Sequence, residues 1–225
     1  STCAVGALGE SGGVLLLADD LTRAVRVEET RRDFVANVSH ELKTPVGAII
    51  LLAETMEDAA EDPQAVRRFA ERMQTESQRL SRLVQEIIEL SRVQGTSALP
   101  DAKPVEIDDV VEEAVRQNRN VAMGRRIELA SGGTGGLRVF GSQTMLVTAL
   151  SNLVANAISY SDADTRVGIS VRRDSGMVEL SVKDEGIGIS KEDLERVFER
   201  FFRVDRARSR ETGGGTGLGL AIVKH

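Results

Sequence analysis

Aromatic residues and cysteine are scarce in this sequence. Its 225 residues include no tryptophan, one tyrosine, six phenylalanines and a single cysteine, Cys3. Leu, Val, Ile and Ala must therefore form any hydrophobic core. No intrachain disulfide is possible, which is compatible with a reducing compartment. The net charge is −6 and long basic runs are lacking, so the composition argues against nucleic acid as a partner.

Long hydrophobic runs are also missing. The longest apolar runs, residues 14–18 and 48–53, are much shorter than the ~20 residues that span a bilayer. The N-terminus carries no signal-peptide pattern. The chain begins within a pattern and stops at His225 inside an apolar helical run, so we expect a fragment of a longer protein. Its length suits one large or two small domains.

Helical periodicity dominates the first half of the chain. We predict one helix from about residue 21 to residue 59, and a second that begins near Pro63, a favourable first-turn residue. Each has an apolar stripe at spacings of three and four: Phe34, Val38, Leu42, Pro45, Ile49, Leu52 and Met56 in the first, and Phe69, Met73, Glu76, Leu80, Leu83, Ile87 and Leu90 in the second. The second stripe is a heptad pattern with one polar interruption. Two helices alone bury too little apolar surface, so the hairpin predicts a homodimeric four-helix bundle.

His40 stands away from the apolar stripe of the first helix. It lies two residues from Val38 and from Leu42, about 200° of helical rotation from each, and therefore points to solvent. Most single histidines are ordinary core or surface residues. Here, however, Glu41 is adjacent and can polarise the imidazole. Thr44 lies one turn on, with a hydroxyl that can hold a water or a phosphoryl oxygen. These neighbours leave two interpretations of His40 open, an ordinary surface histidine and a nucleophilic one.

The second half of the chain changes to a mixed α and β pattern. A segment rich in turn residues, 95–104, marks the predicted domain boundary. Helices are predicted from an N-cap at Asp108 to about residue 123 and at 142–158. The predicted strands are 105–107, 126–130, 137–140, 166–172 and 177–183, and the last two form a hairpin around residues 174–176. This order predicts helices packed on one sheet, an α+β layer.

Four further stretches contain residues suited to a nucleotide. Asn152 and Asn156 lie one turn apart in an apolar helix, where they are expected to line a polar cleft, and their oxygens suit Mg²⁺. Segment 184–188, DEGIG, places an acidic acceptor after a strand, beside glycines that admit close backbone approach. The glycine run 213–219 precedes a helix, a position that favours phosphate binding. Segment 197–204 holds three of the six phenylalanines, which suggests a lid that packs against the nucleotide cleft. Taken singly, such stretches are more often turns, linkers or caps.

The string SHELKTP at residues 39–45 resembles the H-box of sensor histidine kinases. In that family the histidine accepts the γ-phosphoryl group of ATP and passes it to an aspartate of a response regulator. The four later stretches resemble, in their order, the N, G1, F and G2 boxes of the family's Bergerat-type ATP-binding domain. The resemblance covers residues 30–225. The strings RRDFVANVSHELKTPVGA and RVFERFFRVDRARSR look closest to phosphate-responsive sensor kinases of actinobacteria.

The resemblance implies roles for residues in both halves. It implies that His40 is the phospho-acceptor, Glu41 its acid/base partner and Thr44 a residue of the reverse phosphatase reaction. It implies ATP and Mg²⁺ as cofactors, with Asn156 as the metal ligand and Asn152 supporting it. The remaining implied nucleotide contacts are Asp184, Gly186 and Gly188 for adenine, and Tyr160, Arg203, Gly215, Gly217, Leu218 and Gly219 for the phosphates.

The resemblance also implies an α+β, multidomain architecture. Residues 21–96 are expected to form a dimerisation and phosphotransfer hairpin, a dimeric four-helix bundle. Residues 104–225 are expected to form an α/β-sandwich ATP-binding domain that lacks its usual C-terminal strands. Residues 1–20 are interpreted as the end of a PAS-like sensor domain or as a linker remnant. The implied partners are a second copy of the chain and a response regulator receiver domain. The implied location is the cytoplasmic portion of a bacterial sensor anchored in the inner membrane by other segments.

Three departures from the family pattern leave alternatives open. Ser159 stands where a basic residue often precedes the N-box aromatic, Ser142 stands where an aspartate is usual, and the final strands are absent. One alternative is a phosphatase-biased sensor in which Thr44 positions a hydrolytic water. Another is a catalytically weak dimeric signalling scaffold. A gyrase-type ATPase is disfavoured, because it needs no SHELKTP string.

Overall fold

A computed structural model describes residues 2–8, 13–19, 22–95, 102–204 and 215–224, with side chains for 32–91, 102–204 and 215–224. The predicted linker residues 96–101 and the glycines at 213 and 214 lie outside the described residues. The chain divides into two compact units, Ser1–Leu80 and Ser81–His225. The domain limits predicted from the sequence, 21–96 and 104–225, stay predictions.

The first unit begins with an antiparallel hairpin of β1 (Thr2–Leu8) and β2 (Gly13–Asp19). The apolar run at residues 14–18 lies within β2. Helix α1 spans Thr22–Asp58, which confirms the first predicted helix to within one residue at each end.

Helix α2 spans Pro63–Gly95 and starts at the predicted proline. The carboxylate Oδ1 of Asp62 accepts the backbone N–H groups of Gln64 at 3.0 Å and Ala65 at 3.1 Å. Asp62 therefore caps the helix, and Pro63 takes a first-turn position where an N–H would have no intrahelical acceptor.

The predicted stripes are the less exposed faces of both helices. Along α1 the stripe residues are half-buried and Pro45 is fully buried. Along α2 the heptad positions are half-buried or buried, and Leu83 and Leu90 are almost completely enclosed. Several large apolar side chains outside the stripes are exposed: Val35, Val46, Ile50 and Leu51 on α1, and Val84 and Ile88 on α2. In the described part of the chain, no helix combines the length and apolar character needed to cross a membrane.

Among its described residues, the second unit combines the C-terminal part of α2 with three further helices and two small sheets. The helices are α3 (Ile107–Gly124), α4 (Gln143–Tyr160) and α5 (Gly219–Lys224). Strand β3 (Lys103–Glu106) pairs antiparallel with β5 (Arg138–Gly141). Strand β6 (Arg166–Asp174) lies between β4 (Glu128–Gly133), to which it is parallel, and β7 (Met177–Lys183), to which it is antiparallel.

The core of this unit is aliphatic, as the shortage of aromatic residues requires. Strand β6 alternates, and its residues Val167, Ile169 and Val171 are buried. The buried partners from the helices recur at helical spacing: Val110, Val111 and Ala114 on α3, and Val147, Leu150, Val154 and Ile158 on α4. The buried Asn118 on α3 donates to the Ser151 hydroxyl of α4 at 2.8 Å, so a satisfied polar contact links the two helices.

Some local expectations for this unit were wrong. Asp108 is not the N-cap of α3: the cap position is Glu106, and the Asp108 carboxylate instead accepts the Gly136 N–H at 2.8 Å. Ser142 occupies the N-cap of α4 but makes no side-chain capping bond. The strands at 128–133 and 138–141 do not share a sheet, since each pairs with a different strand. The predicted hairpin of β6 and β7 is confirmed, and its turn residues Ser175 and Gly176 both have positive φ.

Candidate functional site

His40 lies on the exposed face of α1, as predicted. Thr44, also exposed, donates its hydroxyl to the backbone carbonyl of His40 at 3.3 Å, which keeps it on the same side of the helix. Adjacent helical side chains diverge by ~100°, and in the described part of the chain no hydrogen bond joins Glu41 to the His40 ring. The acid/base role of Glu41 stays a prediction.

Pro45 changes the helix backbone beside His40. A proline inside a helix has no N–H for the carbonyl four residues earlier, which here belongs to Glu41. Helix α1 nevertheless continues through Pro45, whose ring is buried. Packing of the ring therefore holds in place a turn with a weakened hydrogen-bond ladder, next to the exposed histidine.

Helix α4 brings the predicted nucleotide residues together. Asn152, Asn156 and Tyr160 are each one turn apart and share one face. At one end of this face, the Oδ1 atom of Asn152 lies 3.3 Å from where a Cβ at Gly219 would stand. At the other end, the carbonyl oxygen of Tyr160 lies 2.6 Å from where a Cβ at Gly186 would stand. The half-buried Asn156 therefore lies between the two glycine-bearing loops.

Asn152 carries an unsatisfied buried donor. Its Nδ2 atom is buried and makes no hydrogen bond to any described residue, an arrangement that costs about 1–3 kcal/mol unless a partner is supplied. A phosphate oxygen or a water could accept the hydrogen bond from this Nδ2 atom. The amide oxygens of Asn152 and Asn156 are hard ligands of the type that Mg²⁺ takes. The residues present therefore fit a metal–phosphate group.

The loop after β7 is arranged by Asp184. Its Oδ1 atom accepts the backbone N–H of Gly186 at 2.9 Å, which leaves Oδ2 available to a second donor. Asp184 is exposed, and so are the side chains of Ile187 and Ile189 in the same loop. An acidic acceptor beside apolar side chains is suited to a flat base with an exocyclic amino group. Gly188 has a φ of +71° and completes the turn.

The loop before α5 packs on the end of the phenylalanine-rich segment. Gly217 has a φ of +82°, and a Cβ there would lie 2.8–2.9 Å from backbone atoms of Phe201 and Phe202. The Phe201 N–H donates to the Gly217 carbonyl at 2.9 Å. The Arg203 guanidinium donates to the carbonyl of Gly215. Arg203 is therefore joined to the glycine loop, and Leu218 is fully buried. The phosphate contacts of both residues stay predictions.

The segment predicted as a lid has an inner and an outer part. Phe201 is buried, and Phe202 lies under the guanidinium of Arg196 at 4.3 Å from its ring centre. Phe198 remains partly exposed. Its role as a lid stays a prediction.

Reasoning from the sequence missed three residues of this site. Arg125, which follows α3, donates to the carbonyls of Ile158 and Ser159 at 2.9 Å, so it neutralises the C-terminal end of α4 next to Tyr160. Glu86 on α2 accepts the hydroxyl of Thr216 in the glycine loop. Burial raises the pKa of Glu86 above its usual range. Only Thr216 carried a sequence signal, as a member of the GTGLG string.

Two families match the chain in succession. Residues 30–96 match the His Kinase A (phospho-acceptor) domain. Residues 141–225 match the histidine kinase-, DNA gyrase B- and HSP90-like ATPase. The first match contains His40, and the second contains all the predicted nucleotide residues.

Relatives agree with both matches. The sensor-like histidine kinase SenX3 of Mycolicibacterium smegmatis is 57% identical over 207 residues, 92% of this chain and 54% of the relative. The phosphate regulon sensor protein PhoR of Pseudomonas aeruginosa is 38% identical over 213 residues, 94% of this chain and 48% of the relative. The chain thus spans about half the length of the curated relatives it matches.

A solved structure extends the likeness to three dimensions. The histidine kinase AdeS of Acinetobacter baumannii aligns with a TM-score of 0.64 at 26% identity, over 82% of this chain and 83% of that one. The predicted fold class, a helical hairpin followed by an α/β ATPase domain, is confirmed. Because a phospho-acceptor domain is followed by its ATPase domain in one chain, this protein belongs to the sensor histidine kinases of two-component systems.

Proposed function

We propose that this chain transfers the γ-phosphoryl group of ATP to a ring nitrogen of His40, and then to an aspartate of a response regulator. The convergence on α4 carries this proposal. Asn152 contacts the loop of Gly219 and Tyr160 contacts the loop of Gly186, so one helix face is flanked by both predicted nucleotide loops. The same chain exposes His40 on α1.

Each part of the nucleotide has a proposed partner in this cleft. Asp184 accepts the adenine amino group through its open Oδ2 atom, and the glycine loop with Arg203 contacts the phosphates. Asn156, with Asn152 beside it, would hold Mg²⁺. The metal supplies charge neutralisation of the phosphates when it is bound. The buried Nδ2 of Asn152 supports the proposed position of the phosphates, because this donor requires an acceptor such as a phosphate oxygen.

The proposed phosphoryl transfer is an in-line displacement. A lone pair of the neutral His40 imidazole forms the nitrogen–phosphorus bond as the bond from phosphorus to the bridging oxygen breaks, and ADP leaves. Glu41 accepts or orients the proton of the other ring nitrogen. The chain's contribution is mostly positioning and charge stabilisation, since little covalent chemistry is required of it.

The test is incubation with γ-labelled ATP and Mg²⁺, followed by acid or alkali treatment. We expect label that is lost in acid and kept in alkali, as for a phosphohistidine. His40→Ala should lose the label and keep its affinity for ATP, whereas Asp184→Asn should lose both. Equal labelling of wild type and His40→Ala would contradict the assignment.

A homodimer is the proposed state of the helical hairpin. Val46 and Ile50 are one turn apart on α1, and both are exposed although they are large and apolar. Val84 and Ile88 have the same relation on α2. A second copy of the hairpin buries such residues in a four-helix bundle. A receiver domain is the proposed partner for the exposed surface around His40.

Phosphatase activity towards the partner is a second proposed function. The exposed Thr44 is held on the side of His40 by its hydrogen bond to the His40 carbonyl, so its oxygen can position a hydrolytic water there. Thr44→Ala is expected to slow dephosphorylation of the response regulator and to leave labelling of His40 intact. Unchanged dephosphorylation would rule this role out.

The likeness to SenX3 and PhoR supports a proposed biological role. We infer that the chain is the cytoplasmic signalling portion of a membrane-anchored sensor that responds to phosphate supply. Labelling of the whole protein in cells grown with scarce and with abundant phosphate tests this role. Equal phosphorylation under both conditions would contradict it.

A further inference from the structure

A side chain of α2 is bonded to the glycine loop. Glu86 and Thr216 both belong to the unit Ser81–His225, and the Thr216 hydroxyl donates to Oε2 of Glu86. The same hydroxyl oxygen accepts the backbone N–H of Leu218 at 3.3 Å. Thr216 is buried and Glu86 is half-buried. The orientation of Thr216 is therefore determined on both sides, by a carboxylate and by the loop's own backbone.

Charged groups of two elements surround this carboxylate. Arg82 and Glu89 act on it from α2, and Arg203 acts on it from the segment that also bonds Gly215. Burial is the largest influence and raises the pKa of Glu86. Glu89 raises it further, while the Thr216 hydroxyl and both arginines oppose the rise. The charged form of Glu86 is thus disfavoured even before any anion is bound.

We propose that Glu86 is a positioning residue that sets the affinity for ATP, because its carboxylate opposes the triphosphate at the Thr216 end of the glycine loop. The inference rests on the proposed function, in which residues 215–219 receive the phosphates. When nucleotide is bound, the negative charge of the Glu86 carboxylate lies close to the negative charges of the triphosphate. Like charges in a partly buried site disfavour each other. Nucleotide binding therefore draws a proton onto Glu86.

A purely mechanical role predicts something different. If Glu86 only fastened the loop, glutamine would serve equally, because its amide oxygen also accepts the Thr216 hydroxyl. If the charge matters, glutamine keeps the hydrogen bond and removes the repulsion. The Glu86→Gln variant therefore distinguishes the two roles. A mechanical role leaves the proton uptake and the pH dependence of nucleotide binding unchanged, whereas an electrostatic role reduces both.

The experiment is calorimetric titration of the whole chain with a non-hydrolysable ATP analogue and Mg²⁺. It is performed in two buffers of different ionisation enthalpy, at a series of pH values from the ordinary glutamate pKa upward, because burial raises the pKa of Glu86. For wild type we expect proton uptake on binding and a Kd that rises with pH. For Glu86→Gln we expect a Kd about three- to tenfold lower at the upper pH, with less proton uptake. Ionisation of the analogue itself is common to both proteins and cancels in the comparison.

Glu71→Gln is the matched control. It removes the same charge from α2, at an exposed carboxylate that accepts the Arg67 Nε–H at 3.2 Å and is not among the charges that act on Glu86. It should keep the wild-type proton uptake. Glu86→Asp, which retains the charge, should keep a pH-dependent Kd.

The outcomes separate this inference from the proposed function. A Glu86→Gln protein with the wild-type pH slope and proton count overturns the role of Glu86 alone. Wild-type protein that binds no nucleotide overturns the proposed function, and this inference with it.

Discussion

The carbonyl oxygen of Tyr160, the last residue of α4, lies directly against Gly186 in the loop after β7. A Cβ at position 186 would stand 2.6 Å from this oxygen and 2.8 Å from Oδ1 of Asp184. Real Cβ atoms do not approach backbone oxygens so closely, so a glycine is required for this contact. The two predicted nucleotide motifs are thus joined through backbone, without room for a side chain.

Gly186→Ala is expected to weaken ATP binding by about tenfold or more, since the loop must move away from α4 and takes Asp184 with it. The measurement is the Kd for ATP from calorimetric titration. Gly168→Ala is the control, because a Cβ at Gly168 in β6 meets nothing within 4 Å. Equal Kd values for both variants and wild type would show that the contact does not position the nucleotide site.

The elements found from the sequence are those specified by local pattern. Helices α1 and α2 follow from apolar spacing over more than 30 residues each, and the hairpin of β6 and β7 follows from alternation around a turn. The pairing of β4 with β6 was not predicted. It is a parallel pairing that requires a long connection containing α4, and no short-range signal reports it.

The candidate site divides in the same way. Asn152, Asn156 and Asp184 each belong to a short motif, so their chemistry can be predicted from the local sequence. The local sequence predicts for Glu86 no role beyond its place in the second helix, because its partner Thr216 lies 130 residues away. Contacts at such separations come from tertiary packing, and periodicity does not encode them.

Leu150→Ala tests the aliphatic core between α3, α4 and the sheet. Leu150 is 2% exposed, so truncation should lower the free energy of unfolding of the second unit by about 2–5 kcal/mol. Urea unfolding followed by the fluorescence of Tyr160, the single tyrosine, reports on this unit. Met177→Ala, at a position that is 71% exposed, should change that free energy by less than about 0.5 kcal/mol. Similar midpoints for both variants would mean that Leu150 is not part of the core.

Ile50→Asp tests the proposed homodimer. Ile50 is 54% exposed on α1, and in a four-helix bundle a charge at a buried interface position opposes association. We expect the mass measured by light scattering to fall from that of a dimer to that of a monomer. Val121→Asp is the matched control, since Val121 on α3 is 53% exposed and lies outside the hairpin. A monomeric wild type, or a dimeric Ile50→Asp, would contradict the prediction.

The pH dependence of stability tests the environment of Glu86 without nucleotide. Because its pKa is raised above the ordinary value of 4.5, the folded protein binds its proton more tightly than the unfolded chain. The resulting stabilisation is complete below the ordinary pKa and is lost as pH rises through the raised one. Wild type should therefore lose stability relative to Glu86→Gln over that range, measured as urea midpoints followed by Tyr160 fluorescence.

Glu113→Gln supplies a control of opposite sign. The hydrogen bond from Arg116 lowers the pKa of the half-buried Glu113. The contribution of Glu113 to stability is therefore present above the ordinary pKa and is lost as pH falls through the lowered one. Wild type should therefore lose stability relative to Glu113→Gln only towards acid, and weakly, because an exposed pair is screened by solvent. A difference between wild type and Glu86→Gln that also developed only towards acid would mean that the carboxylate is stabilised as a charge by Arg82 and Arg203. Burial would then not dominate its environment, and Glu86 would take up no proton when an anion binds beside Thr216.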